Sequence, residues 1–381
     1  MSRFYCVKTI LKICCLTQLA LGLVFTPPGQ AASSARPLRI ALITGGPYYE
    51  FQLALQGFAE RLAELGIIVD GNVPLPEETE SLAPMWQRLA KNAGGNRLRF
   101  VADAFYSSEW EQEQRPEVKN ALLKRLKDKG DIDCVLALGT WGGQDIGLES
   151  LRIPVLVFQA SNAVEAGIIL SSDDSGRDNL LATVDPDRHK NQVRIFHTII
   201  GFSRLGITYE DTPTGRTTIA LGDIEEAAKE LGIELLRCTN VSLYANDKGP
   251  AESRLRACHE YLVKQGAEAV YLTYNLQGLG GKHTAYVLDP LIKANLPTFA
   301  QQGSYLVKLG ALMSVTNESV KEEGRFVAEA LEKIMNGSPP RSLPQRYKSA
   351  ISLVVNLNTA TLIGWNLPME ILAGADEFYQ D

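Results

Sequence analysis

Polar and aromatic residues follow several predicted strands of this chain, at positions where a small molecule could bind. Residues 44–50 combine two glycines with Tyr48 and Tyr49. The glycines would let a ligand approach the backbone, and a tyrosine would stack on it. The alternative is a glycine turn whose tyrosines pack on the next helix. The pattern is not GxGxxG, which argues against dinucleotide binding.

The next two candidate loops contain hydroxyl, aromatic and amide side chains. Thr140 and Trp141 stand before a short predicted helix, and Ser161 and Asn162 follow a later strand. Backbone N–H groups at a helix start, together with the Thr140 hydroxyl, form a seat for a carboxylate. Trp141 is either the wall of an apolar pocket or a packing contact between lobes. We expect Thr140, Trp141 and Ser161 to line a cleft on the first lobe.

Loops in the second half of the chain offer acids and amides. Glu210 and Asp211 follow one predicted strand, and Asn275 and Gln302 follow two others. Carboxylates facing a hydroxyl and an amide across a cleft suit a zwitterion, with the acids holding its ammonium group. The alternative is that Asp211 belongs to a turn or helix cap. Uncharged amides orient a ligand more readily than they transform it.

The sequence carries no pattern that predicts catalysis. Its four histidines fall in predicted helices or beside a glycine loop, without a nucleophile motif nearby. No cysteine or histidine pair has metal-ligand spacing. We therefore predict a binding protein, not an enzyme, with no catalytic residue, metal or cofactor. The net charge of −6 and the lack of a basic stripe argue against nucleic acid as a partner.

The elements that position these loops alternate regularly. Short apolar β-type runs alternate with amphipathic helical segments from residue 38 to about 340, a pattern typical of parallel α/β sheets. We predict two Rossmann-like lobes joined by a hinge of several crossovers, with ligands at the carboxyl ends of the strands. The N-terminal lobe is predicted over 36–162 plus about 303–340, and the C-terminal lobe over 163–302 plus about 341–381.

The first thirty or so residues have the order of a secretory signal peptide. A basic start precedes an apolar stretch over 13–25 and small residues near Ala31. The stretch is shorter than the roughly twenty residues of a membrane-spanning helix. We predict a signal peptide over 1–32 that is removed to give a periplasmic protein, with the cleavage position left open.

Three cysteines follow the predicted leader. Cys134 lies in an apolar run and is expected to be a small core residue. Cys238 ends a strand-like run and Cys258 lies in the next predicted helix, so an oxidising compartment could join them. The sequence leaves open whether this disulfide forms.

Two C-terminal segments carry a recognisable pattern. Residues 355–364 (VNLNTATLIG) and 368–377 (PMEILAGADE) form a strand, an asparagine, a helix, a proline and an acidic end. This pattern resembles the ABC-transporter substrate-binding family whose best-known members bind aromatic amino acids, a branch of the type I periplasmic binding proteins. Shorter similar segments extend the resemblance over nearly the whole mature chain, among them Gly57-Phe58 and residues 164–167.

The resemblance also implies site residues. Gly139-Thr140 looks like the family's ligand-facing Gly-Thr. At Ser161 and Asn162 the family usually has a hydroxyl residue followed by Asp-Pro, and near Asn275 many members carry an aspartate that is absent here. An amino acid needs an acid for its ammonium group, so the resemblance leaves that role to Glu210 or Asp211.

The function implied by the resemblance is solute binding for an ABC uptake transporter. A monomer would close its two lobes around a small organic solute, such as an amino acid, and present it to a membrane permease. Two alternatives stay open at this stage. One is a periplasmic ligand sensor that feeds a signalling receptor, and the other is a hydrolase on the same scaffold.

Overall fold

The computed structural model describes residues 36–75, 81–241, 248–274, 281–301, 303–316, 318–348 and 352–380. Within these ranges no helix is both long enough and apolar enough to cross a membrane. The described chain forms two α/β lobes, each built on its own sheet.

The first lobe contains a fully parallel five-stranded sheet. Its strands are β1 (Leu38–Thr44), β2 (Leu98–Ser107), β3 (Cys134–Leu138), β4 (Val155–Phe158) and β5 (Leu180–Ala182). Their order is β2-β1-β3-β4-β5. Its helices are α1 (Tyr49–Glu64), α2 (Ala83–Asn92), α3 (Arg115–Asp128) and α4 (Gly139–Ile146). Every residue of β3 and β4 is buried, because helices cover both faces of the sheet.

The second lobe contains a seven-stranded sheet. Its strands are β6 (Arg204–Thr208), β7 (Glu234–Cys238), β8 (Ala269–Leu272), β9 (Thr298–Ala300), β10 (Met313–Val315), β11 (Leu353–Asn356) and β12 (Glu377–Tyr379). The order is β12-β11-β10-β9-β8-β6-β7, and only the β10–β11 pair is antiparallel.

The remaining helices connect or cover these strands. They are α5 (Arg188–Ile200), α6 (Pro213–Thr218), α7 (Leu221–Leu231), α8 (Lys248–Lys264), α9 (Gly281–Lys293), α10 (Ser304–Lys308), α11 (Glu318–Met335), α12 (Leu357–Leu362) and α13 (Met369–Gly374), with a 3-10 helix at Pro340–Ser342. The predicted fold class, two α/β lobes with parallel sheets, is confirmed.

The sheets divide the chain differently from the predicted lobe boundaries. Strand β5 lies within 163–302, yet it pairs with β4 in the first sheet. Strand β10 lies within 303–340, yet it pairs with β9 and β11 in the second sheet. The reason is that a three-residue strand carries little sequence signal, and only its pairing partners decide its sheet. The described chain crosses between lobes after β5, after β10 and after α11.

Helix α11 returns to the first lobe because it packs closely on α1. A Cβ atom at Gly324 would overlap the carbonyl oxygen of Ala54, and one at Gly57 would overlap that of Lys321. The two glycines therefore let the helix backbones touch. This contact places Glu323, the neighbour of Gly324, against the loop that follows β4.

The crossover segments are hydrogen-bonded to each other. The Val184 amide donates to the Gln345 carbonyl at 2.9 Å, and the Tyr347 amide donates to the Val184 carbonyl at 2.9 Å. The Thr316 amide donates to the Ser352 carbonyl at 2.7 Å. A few paired residues between two lobes are the usual construction of a hinge.

The three described cysteines form one free thiol and one disulfide. Cys134 is a buried free thiol in β3. Cys238 and Cys258 form a disulfide, with their Cα atoms 5.5 Å apart, and this bond ties the end of β7 to α8. The question that the sequence left open is thus answered in favour of the bond.

The asparagine of the C-terminal pattern has a structural role. The Asn356 side chain accepts a hydrogen bond from the Thr359 amide at 2.9 Å and so caps α12. The same side chain donates to the Val307 carbonyl at 2.7 Å. The asparagine of the pattern therefore fixes the start of α12 in the second lobe.

Candidate functional site

A cavity of about 30 Å³ lies between the carboxyl ends of the two sheets. This edge of a parallel sheet is where ligands of open α/β folds bind. The cavity is lined by residues of both lobes: Tyr48, Glu50, Phe51, Trp110, Thr140, Trp141, Gln159, Ser161, Arg188, Thr218 and Tyr274.

The structure brings four of the predicted site residues to this cavity. Tyr48, Thr140, Trp141 and Ser161 all line it. The Ser161 amide donates to the Thr140 hydroxyl oxygen at 3.3 Å, which joins the loops after β3 and β4. The Tyr48 ring makes an edge contact with Tyr274 of the second lobe at 6.0 Å. Their role as ligand contacts stays a prediction.

Two further predicted residues lie between the lobes but do not line the cavity. Tyr49 stacks on Tyr305 with ring centroids 5.0 Å apart, because adjacent residues at the start of α1 point in different directions. Asn162 donates to Asp223 of α7 at 3.5 Å and accepts a hydrogen bond from the Glu165 amide at 3.1 Å. Both residues thus contribute contacts between lobes.

The acids predicted to hold an ammonium group lie elsewhere. Asp211 is exposed and accepts a hydrogen bond from Arg216 at 2.7 Å, so a basic residue of α6 already pairs with it. Neither Glu210 nor Asp211 lines the cavity. The predicted residues Asn275 and Gln302 lie outside the described residues.

An ion pair between the lobes was missed by the sequence reasoning. Glu50 Oε2, in the first turn of α1, lies 3.4 Å from Arg188 Nη2 at the start of α5. Burial raises the pKa of Glu50, while Arg188 and the nearby Tyr48 hydroxyl lower it. Glu50 ends the first candidate loop, and Arg188 begins the first helix after a lobe crossing. These two positions in the sequence are the features from which the ion pair could have been anticipated.

A second buried acid, Glu323 of α11, lies behind the cavity wall. Its carboxylate accepts hydrogen bonds from the Gln159 amide at 2.9 Å, from the Thr183 hydroxyl at 2.5 Å and from the Gln159 side chain. Burial raises the pKa of Glu323, and Arg188 acts against that effect. Uncharged donors therefore supply the hydrogen bonds that this carboxylate accepts.

The aromatic wall of the cavity is a chain of ring contacts. Phe51 lies 6.3 Å from Trp110, and Trp110 lies 5.4 Å from Trp141, measured between centroids. A Cβ atom at Gly45 or Gly46 would overlap the Trp110 ring. The two glycines of the first loop thus make room for Trp110, which no feature of the sequence had indicated.

His189 links the lobes through uncharged hydrogen bonds. Its Nε2 lies 3.2 Å from the Ser161 carbonyl oxygen, and its Nδ1 lies 3.2 Å from the Gln301 side-chain nitrogen. Burial lowers the pKa of His189 to about 3, so the ring is neutral at physiological pH. The neutral ring then donates through Nε2 and accepts through Nδ1.

Across the described residues, no group of acids, histidines or cysteines is arranged to hold a metal.

Two mostly parallel sheets, hydrogen-bonded crossovers and a cavity between the strand ends define a two-lobed protein of the type I periplasmic binding fold. The sequence comparisons agree. Residues 107–379 match the profile of the family described as ABC transporter substrate binding protein. This match covers more than half of the chain, and the chain belongs to that family.

Solved structures share the fold at low sequence identity. A conserved domain protein from Vibrio cholerae has 15% identity and a TM-score of 0.66, over 90% of this chain and 100% of that chain. The ABC domain in complex with L-Trp from Streptococcus pneumonia has 14% identity and a TM-score of 0.64, over 90% and 99%.

A ligand-free, open substrate binding protein with adhesive properties from Clostridium difficile has 15% identity and a TM-score of 0.58, over 90% and 100%. At such identities the likeness concerns the fold alone. Among curated proteins, none matches this chain significantly.

Proposed function

We propose that this chain is the extracytoplasmic solute-binding component of an ABC uptake transporter. It encloses a small organic solute, such as an amino acid, between its lobes and presents the closed form to a membrane permease. The observation that carries the proposal is the interlobe cavity, whose wall includes the Glu50–Arg188 pair from opposite lobes.

The size of the cavity supports a binding cycle with lobe opening. Sites for small organic ligands usually occupy about 300–1,000 Å³, whereas this cavity measures about 30 Å³. A solute therefore enters only if the lobes separate. The crossovers around Val184 and Tyr347 supply the hinge for that motion.

The periplasmic location is part of the same proposal. The Cys238–Cys258 disulfide supports it, because such bonds persist in oxidising compartments. Edman or mass analysis of the exported protein would place its first residue near position 32 if the predicted leader is removed. Full-length protein retained in the cytoplasm would contradict this location.

A thermal-shift screen of the mature protein tests the function. The compounds are amino acids, small carboxylates, amines, sugars and nucleosides. A ligand at a hundred times its Kd adds about 2.7 kcal/mol of stability, which is a readily measured shift. The proposal predicts a large shift with one compound class and one ligand per chain. Stabilisation by none of them, or turnover of a compound, would contradict it.

Substitutions on the first lobe test the site. We expect Thr140→Ala to lose more than tenfold in affinity, since a hydrogen bond to a charged group contributes on the order of 1.5–3 kcal/mol. Trp141→Ala should lose at least as much. Thr198→Ala is the matched control, because Thr198 is exposed on α5 away from the cavity. Affinities within twofold of the parent for both cavity variants would make the predicted site wrong.

A further inference from the structure

The carboxylate of Glu50 has unused capacity to accept hydrogen bonds. Glu50 is 2% exposed and lines the cavity. Its Oε2 lies 3.4 Å from Arg188, the Tyr48 hydroxyl is nearby, and its Oε1 is buried without a close hydrogen-bond donor among the described residues. A buried acceptor without a donor is destabilising, and more so when it is charged. A ligand that brings a donor to Glu50 removes this cost.

Among the described residues that line the cavity, one cation, Arg188, faces two buried carboxyl groups. Glu50 and Glu323 are acids, Arg188 is the cation that faces both, and His189 is neutral. Glu323 is already satisfied by Gln159 and Thr183. A positive charge placed beside Glu50 would stabilise its ionised form, which burial disfavours, whereas a negative charge would oppose it.

The walls of the cavity suit a cation as well. Five aromatic side chains line it: Tyr48, Phe51, Trp110, Trp141 and Tyr274. The faces of such rings attract ammonium groups. The protein already has one such contact, since the Arg115 guanidinium lies 4.3 Å from the centroid of the Trp141 ring, and Trp141 lines the cavity.

A ligand carboxylate would find less support. Among the described residues that line the cavity, Arg188 is the cationic side chain, and its charge already serves Glu50 and Glu323. The Ser161 amide already donates to the Thr140 hydroxyl oxygen, and neither group adds a positive charge. The cavity thus favours a solute with a net positive charge over a zwitterion.

We propose that the solute is an organic cation, an amine or quaternary ammonium compound with an apolar body, whose charged nitrogen lies between Glu50 Oε1 and the aromatic rings. This inference rests on the proposed function and names the class of its ligand. It replaces Glu210 and Asp211 by Glu50 as the acid that meets the ligand.

Calorimetric titration with matched probes tests the inference. The pairs are tryptamine with tryptophan, phenethylamine with phenylalanine, and choline with its neutral isostere 3,3-dimethylbutanol. We expect at least one cation to bind, and to bind more than tenfold tighter than its partner. A zwitterion or neutral partner that binds as tightly as its cation would overturn the inference.

Variants of α1 provide the second arm. Glu50→Gln should weaken binding of the preferred cation more than tenfold, with affinity for neutral indole changed less than twofold. Glu60 lies on the same helix outside the cavity, so the Glu60→Gln variant should bind the preferred cation with the affinity of the parent. Equal affinity of the Glu50→Gln variant and the parent would overturn the inference.

The outcomes separate this inference from the proposed function. A chain that binds a sugar, an acid or a zwitterion but none of the cations overturns the inference and leaves solute binding intact. A chain that binds nothing in the wider screen contradicts the proposed function, and the inference falls with it.

Discussion

The two lobes contribute very different chemistry to the cavity between them. Among the described lining residues, the first lobe supplies the acid Glu50, most of the aromatic rings and the hydroxyl side chains of Thr140 and Ser161. The second lobe supplies Arg188, Thr218 and Tyr274. The difference suggests that the first lobe recognises the solute and that the second lobe closes over it.

The lobes also differ in what stabilises them. The first lobe depends on a helix, α11, that returns to it from the second and packs through Gly57 and Gly324. The second lobe carries the Cys238–Cys258 disulfide. Four changes to the chain probe these differences, and they are ordered from the largest expected effect to the smallest.

Arg188→Met should have the largest effect, because Arg188 joins the lobes. Removing it leaves Glu50 and Glu323 buried without a cation, which costs about 3–5 kcal/mol of stability. Without the cation the pKa of both carboxyls rises further. They bind protons more readily in the folded state, so the loss should be largest near pH 7.5 and smaller near pH 5.

Urea unfolding at the two pH values measures this change. Arg194→Met is the control, since Arg194 lies on the same helix and makes a surface ion pair with Glu230, worth about 0–1 kcal/mol. Equal losses in the two variants would contradict the role of Arg188 between the lobes.

Loss of the disulfide should cost about 3 kcal/mol, because a cross-link over a 20-residue separation restricts the unfolded chain. The effect should fall on the second lobe alone, visible as lower hydrogen-exchange protection in β7 and α8. A reducing agent should lower the Tm of the parent and leave that of a Cys238→Ser, Cys258→Ser double variant unchanged. A reductant that shifts neither protein would contradict the prediction.

Gly324→Ala tests the helix contact of the first lobe. The added methyl meets the Ala54 carbonyl, and overpacking of this kind costs about 1–3 kcal/mol. Gly374→Ala is the matched control on the second lobe, where a Cβ atom has open space. We expect chemical denaturation to show a loss for Gly324→Ala and little change for Gly374→Ala. Parent-like stability of Gly324→Ala would mean that the helices do not touch there.

Asp223→Asn should have the smallest effect, and one that depends on pH. Burial raises the pKa of Asp223 to about 6, Lys190 opposes this, and Glu226 and Asp187 add to it. Asn162 and Glu165 contact this region from the first lobe, so opening exposes the carboxyl and returns its pKa toward 3.8. The closed form therefore binds a proton more tightly than the open form.

The contribution of this proton to closure is complete below the ordinary pKa and is lost as the pH rises through about 6. The ratio of parent to Asp223→Asn affinity should thus be about tenfold higher at pH 5 than at pH 7.5. Glu230→Gln, on the exposed face of α7, is the control and should track the parent. A ratio that does not vary with pH would contradict this account.

Much of the fold was predictable because it depends on local patterns. The apolar run 134–138 and its neighbours predicted parallel strands, and their ends marked the correct edge for the cavity. Lobe membership of short strands such as β5 and β10 was not predictable, because it depends on pairing with distant strands. The hydrogen bonds between the hinge segments were not predictable either, because they join residues that are far apart in the sequence.

The site was predictable only in part. Residues next to strand ends, such as Thr140 and Ser161, reach the cavity directly. Arg188 and Glu323 reach it because a crossover and a returning helix bring them there. Asp211 shows the opposite case, since this acid at a strand end pairs with Arg216 five residues later and is exposed. The position of a residue after a strand end identified it as a candidate site residue. Whether an acid of this kind reaches the cavity depends on the basic residue with which it pairs.

Small-angle X-ray scattering of the mature protein, with and without the compound that gives the largest thermal shift, tests the central claim most directly. Enclosure between lobes predicts a smaller radius of gyration with the ligand in the parent, and a much weaker response at the same concentration in Glu50→Gln. A ligand that binds with full occupancy while the radius of gyration stays the same would contradict closure over the cavity.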